Sequence, residues 1–76
     1  MPTEMQKEIL RDLLRYGCDS PNNISDRIGR SRSGVSTALG DLADLDLVIS
    51  KGRGVWSLTY LGVRSAQSIN VDRDLD

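Results

Sequence analysis

Apolar residues recur along this chain in short patterned stretches separated by glycine and serine. Met5, Ile9, Leu13 and Tyr16 fall at helical spacing, with Leu10 and Leu14 widening the stripe, and predict an amphipathic helix 1 over 4–16. Thr3 and Gln6 read as a capping box at its start, and Gly17 suits its C-terminal stop. Ser20-Pro21 opens helix 2, over 21–28. Serine is a good cap, and proline's missing N–H costs nothing in a first turn. Ile24 and Ile28 lie one turn apart on one face, and Gly29 ends the helix. Ser31 then caps helix 3, which ends near 44–46 and carries Val35, Ala38, Leu39, Leu42 and Leu45 on one side. Its other side holds Arg32, Ser33, Ser36, Thr37 and Asp41. Gly34 and Gly40 weaken such a helix by about 1 kcal/mol each, which suggests close approach by another backbone or a ligand.

The pattern then changes period. Residues 47–51 are apolar and β-branched, 55–59 alternate, and Gly52-Arg53-Gly54 between them reads as a turn. Thr59 caps a final helix 4, over 60–70, with Leu61, Val63, Ala66 and Ile69. The predicted fold is mostly α with one small β-hairpin, in the order α1-α2-α3-β-β-α4. Residues 1–71 form one domain, and 72–76 form an acidic tail expected to be disordered.

Helix 2, the Gly29-Arg30-Ser31 turn and helix 3 match a helix-turn-helix. Ile24 and Ile28 must meet Val35 and Leu39 across the turn, and Gly29 is followed six residues later by the β-branched Val35. On these residues, on Leu42, Leu45 and Leu47-Val48, and on Leu58-Thr59 with Gly62, the chain resembles the winged helix-turn-helix transcription regulators. That broad group includes the MarR-, ArsR- and Lrp-like repressors, and the chain looks nearest to small archaeal phage-repressor-type winged helices. It departs from the pattern at Ser25 (usually Ala), at Arg30 (often apolar), at Gly34 and Gly40, and at Asp46 (often Gly).

The resemblance implies a sequence-specific regulator of double-stranded DNA, a repressor acting as a homodimer. Helix 3 would enter the major groove and the hairpin wing would meet the minor groove. Arg32 would read a base edge, or failing that a phosphate. Ser33, Ser36 and Thr37 are short hydrogen-bonding groups on the same face. Arg30 faces solvent or touches phosphate. Lys51 and Arg53 sit on the wing, where Arg53 between two glycines can enter a narrow minor groove. A winged helix that binds protein instead of DNA is the main rival. A single-strand binder would want more exposed aromatics for stacking.

Composition first argues against nucleic acid and then, split by segment, argues for it. Ten basic and eleven acidic residues leave a net charge of −1, which disfavours a polycation that coats DNA wholesale. Residues 27–40 carry +3 with no acid and residues 47–71 carry another +3, whereas 41–46 carry −3. The basic blocks coincide with the turn, helix 3 and the wing. The absence of histidine removes the usual general base and commonest metal ligand. One cysteine, Cys18, permits neither an internal disulfide nor a Cys/His zinc site and is expected to be inert. No enzyme activity and no cofactor are expected. The longest apolar run is Leu47–Ile49, so nothing spans a bilayer, and the first residues lack a signal peptide; a cytoplasmic protein is expected.

Trp56 is expected to pack the wing onto the core and Tyr16 to sit at its edge. Helices 1 and 4 are the expected dimer elements, through Leu10 and Leu14 on the first and Tyr60, Val63, Ile69 and Val71 on the last. No small-molecule effector is expected, because so small a core leaves no room for a cavity of ~300 Å³.

Overall fold

Local capping chemistry starts every helix where the sequence places it. The computed structural model describes residues 3–75, with side-chain detail for 3–69. The elements are α1 (Glu4–Tyr16), α2 (Pro21–Ile28), α3 (Arg32–Asp44), β1 (Val48–Ser50), β2 (Trp56–Leu58) and α4 (Tyr60–Leu75). The Thr3 hydroxyl accepts from the Gln6 amide while the Thr3 amide donates to the Gln6 side chain, closing the capping box. Ser20 and Ser31 cap α2 and α3, accepting from Asn23 and Gly34. Gly29 ends α2 in the left-handed conformation at φ 72°, which turns the chain sharply into α3. α4 runs past the end expected at residue 70. The side chains of 70–76, with Val71 and the expected acidic tail, lie outside the described residues.

The three helices of the first half enclose the core, and α4 packs back across α1. Ile9, Leu10, Leu13, Ile24, Val35, Leu39, Leu42, Val48 and Ala66 are buried, with Ile28, Trp56 and Leu58 packed against them. The isoleucines of α2 and the valine and leucine of α3 thus share one cluster, as the helix-turn-helix reading requires. Leu10 and Leu14 also turn inward. The apolar width of α1 therefore serves largely this chain's own core, with Leu10 fully buried and Leu14 half-buried beside it. The large apolar residues left exposed are Tyr16, Leu45, Ile49, Tyr60 and Leu61.

β1 and β2 pair antiparallel with Val48 opposite Leu58 and Ser50 opposite Trp56. A pairing absent from the sequence reading extends this hairpin. Asp19 and Trp56 exchange both backbone hydrogen bonds, at 3.0 and 2.8 Å, so the α1–α2 loop lies along β2 as a third, single-residue strand.

The Leu58-Thr59-x-x-Gly62 piece has a physical explanation. The Thr59 amide donates to the Leu47 carbonyl, its hydroxyl donates to the Asp46 carbonyl, and the same hydroxyl accepts from the Gly62 amide to cap α4. A Cβ at residue 62 would lie 1.9 Å from the Leu47 oxygen, so only glycine lets α4 pass the chain entering the hairpin.

Candidate nucleic-acid interface

Helix α3 presents its polar side outward. Arg32, Ser33, Ser36, Thr37 and Gly40 are exposed, while Val35, Ala38, Leu39 and Leu42 are buried beneath them. The two glycines of this helix differ. A Cβ at residue 34 would press on the Ser31 hydroxyl at 2.9 Å and the Met5 methyl at 3.3 Å, so Gly34 makes room for the start of α1. A Cβ at residue 40 would meet nothing within 4 Å.

The hairpin tip is built from left-handed residues. Gly52, Arg53 and Gly54 have φ of 85°, 54° and 72°. Arg53 is a long side chain in a conformation that glycine adopts freely and other residues adopt at a cost of about 1 kcal/mol. Lys51, two residues before it, is also exposed, and the hairpin closes by a 2.7 Å bond from the Lys51 amide to the Val55 carbonyl.

The basic residues divide into held and unheld. Arg27, on α2, forks onto Asp12 of α1 through Nε and Nη2 at 2.9 and 2.7 Å. Its remaining nitrogen, Nη1, donates to Asp19 at 2.8 Å, and its plane lies 4.4 Å from the centre of the Tyr16 ring. These carboxylates, Asp12 first, raise the Arg27 pKa further above its ordinary value. Asp19 is lowered to about 2, mainly by the Asn23 side chain, then by the Ser20 amide and by Arg27.

Arg30, in the turn, reaches back to Glu8 of α1 at 2.6 and 3.0 Å. Arg32, Lys51 and Arg53 have no carboxylate within salt-bridge distance among the described residues. Of the basic block at 27–40, Arg32 alone is therefore unpaired among the described residues. Sequence spacing did not show this, because the partners lie 15 and 22 residues away.

Two open clefts mark the surface. One of about 520 Å³ lies between α1 and α2, beside Arg11, Arg15 and Tyr16, and one of about 430 Å³ lies between the start of α1 and the polar side of α3. The expectation that no effector could fit considered only the interior. These surface spaces exceed that size, so the volume argument does not extend to them.

This geometry defines a winged helix-turn-helix domain. No protein-family model and no curated protein matches the chain. Solved structures do match it. Lactococcus lactis ZitR aligns at 28% identity and a TM-score of 0.83, over 95% of this chain and 51% of its own. NadR in complex with 4-hydroxyphenylacetate aligns at 25% and 0.86, over 95% and 55%. The Mycobacterium tuberculosis MarR family protein Rv2887 aligns at 20% and 0.83, over 91% and 52%. The winged helix-turn-helix resemblance read from Ile24 to Gly62 thus extends to the folded backbone. The chain spans about half the length of the solved structures it matches.

Proposed function

We propose that this domain is a sequence-specific transcription regulator of double-stranded DNA. The observation that carries the reading is which arginines of the helix-turn-helix and the wing lack a carboxylate partner among the described residues. Arg27 and Arg30 are held by carboxylates, whereas Arg32 at the start of α3 and Arg53 at the wing tip project unpaired from the two elements that such a fold lays on DNA. Arg32 reads a base edge, with Ser33, Ser36 and Thr37 on edges or phosphates along the same groove. Lys51 and Arg53 contact the backbone and minor groove beside it. The likeness to a MarR family protein supports the same assignment.

The regulator acts as a homodimer and a repressor, two copies reading half-sites about one helical turn apart. Among the large apolar residues left exposed, Tyr16 ends α1 and Tyr60 and Leu61 begin α4, which keeps the first and last helices as the dimer elements. Sedimentation that shows only monomer at high micromolar concentration would remove the dimer. Selection of bound duplexes from a random pool at two salt concentrations tests the whole reading. About six to eight phosphate contacts per dimer give a log–log salt slope of roughly −5 to −7. A flat salt dependence with no selected motif overturns it.

A further inference from the structure

Arg27 and Arg30 are three residues apart, and both pair with acids on α1, yet they are held in different ways. Arg27 is saturated: two nitrogens take the two oxygens of Asp12, the third takes Asp19, and Asp12 keeps only 5% of its side chain exposed. Arg30 uses two nitrogens on a single oxygen of Glu8, and Nη1 makes no hydrogen bond among the described residues. The exposures of that pair are 37% and 22%. The first arrangement is a clamp. The second is a loose, solvent-facing contact that another oxyanion can replace, because phosphate and carboxylate oxygens present the same acceptors to a guanidinium.

Arg30 also stands in the decisive place. It precedes Ser31, the cap of α3, so its backbone lies at the helix end that the DNA reading brings to the duplex. We propose that Glu8 is an internal competitor for DNA phosphate: by occupying Arg30 it limits sequence-independent binding, while itself touching no DNA. The proposal rests on the DNA-binding reading above and adds a residue, Glu8, that lies on α1, outside the helix-turn-helix and the wing. Phosphate contacts alone carry binding to random sequence, so one withheld arginine per protomer weighs most heavily there. Within the helix-turn-helix, Arg27 and Arg30 are thus occupied by acids of the same chain, and Arg32 is left to meet a duplex.

The test compares Glu8→Gln with wild type on a random-sequence duplex across a salt series, after thermal melting has shown that both are folded. Glu8→Gln should bind about three- to tenfold more tightly and steepen the log–log salt slope by about 0.9 for each Arg30 that gains a phosphate. The gain should vanish in the double variant Glu8→Gln, Arg30→Ala. Glu4→Gln removes the same charge one turn away, where it attracts Arg30 without a hydrogen bond, and should change the slope far less than Glu8→Gln. An unchanged slope in Glu8→Gln overturns the proposal, as does a gain that survives loss of Arg30. Wild-type binding that weakens with salt, while Glu8→Gln shows the same slope, sinks this inference alone. If neither protein binds duplex, the DNA reading falls and takes the inference with it.

Discussion

The α1–α2 side of this domain and its α3–wing side use the same residue type for opposite purposes. On the first, Arg27 is a fastener: it ties α2 to α1 and to the loop at Asp19, with all three of its nitrogens engaged. On the second, Arg32 and Arg53 have no carboxylate partner among the described residues, on a helix start and on a turn flanked by glycines. The difference shows that a charge total, or even a charge block, is a poor guide to a binding face. What matters is whether an arginine has a carboxylate within reach. The fastened side should answer mutation in stability and the projecting side in binding.

The largest expected effect lies in the frame that carries both sides. Gly62→Ala places a methyl group against the Leu47 carbonyl and should destabilise the fold by on the order of 3 kcal/mol, read as a steep fall in melting temperature. A melting point near that of wild type would show that the hairpin and α4 can separate freely. Next is the fastener. Asp12→Ala strips the fork from the partly buried Arg27 and should cost about 2 kcal/mol in denaturant unfolding, less than a fully buried pair because Arg27 keeps some solvent.

On the projecting side the signs differ. Arg32→Ala should leave stability within about 0.5 kcal/mol and relax discrimination at one base position by about 1–3 kcal/mol. Arg53→Gly relieves a left-handed arginine, so the fold should melt no lower, yet binding should weaken on all sequences alike. Titration against random and selected duplexes separates the two, and a matched loss of stability in either would blur the contrast.

The smallest effect is in acid. Asp19 has its folded pKa lowered from 3.8 to about 2, so its contribution is present above the unfolded value and is lost as pH falls from about 4 towards 2. Asp19→Asn should flatten that limb of the stability curve. The change should be modest, because the carboxylate keeps some contact with water, which screens its pairing.

Legibility in the sequence followed distance along the chain. Thr3 with Gln6, Ser20 with Pro21, Gly29 and Ser31 act on residues within four positions, so the helix boundaries could be read directly. The face of α3 followed from its period. The partners of Arg27 and Arg30 could not be read, since α1 must first fold against α2 before Asp12 and Glu8 come near. The inward turn of Leu10 and Leu14 was hidden for the same reason: a wide apolar stripe shows that two surfaces are covered, not which molecule covers them. The third strand at Asp19 had no signal at all, because one residue carries no alternation and its two backbone bonds do not depend on a side chain.

That short pairing has an effect beyond the fold. Strand edges are where extended chains add to one another, and natural sheets guard them. Here the residue at 19 covers one border of β2 at Trp56 and β1 covers the other, which leaves the three-residue outer border of β1 as the more open edge among the described residues. The loop between the first two helices therefore works as a selvedge, finishing one side of the hairpin against fraying and against unwanted company.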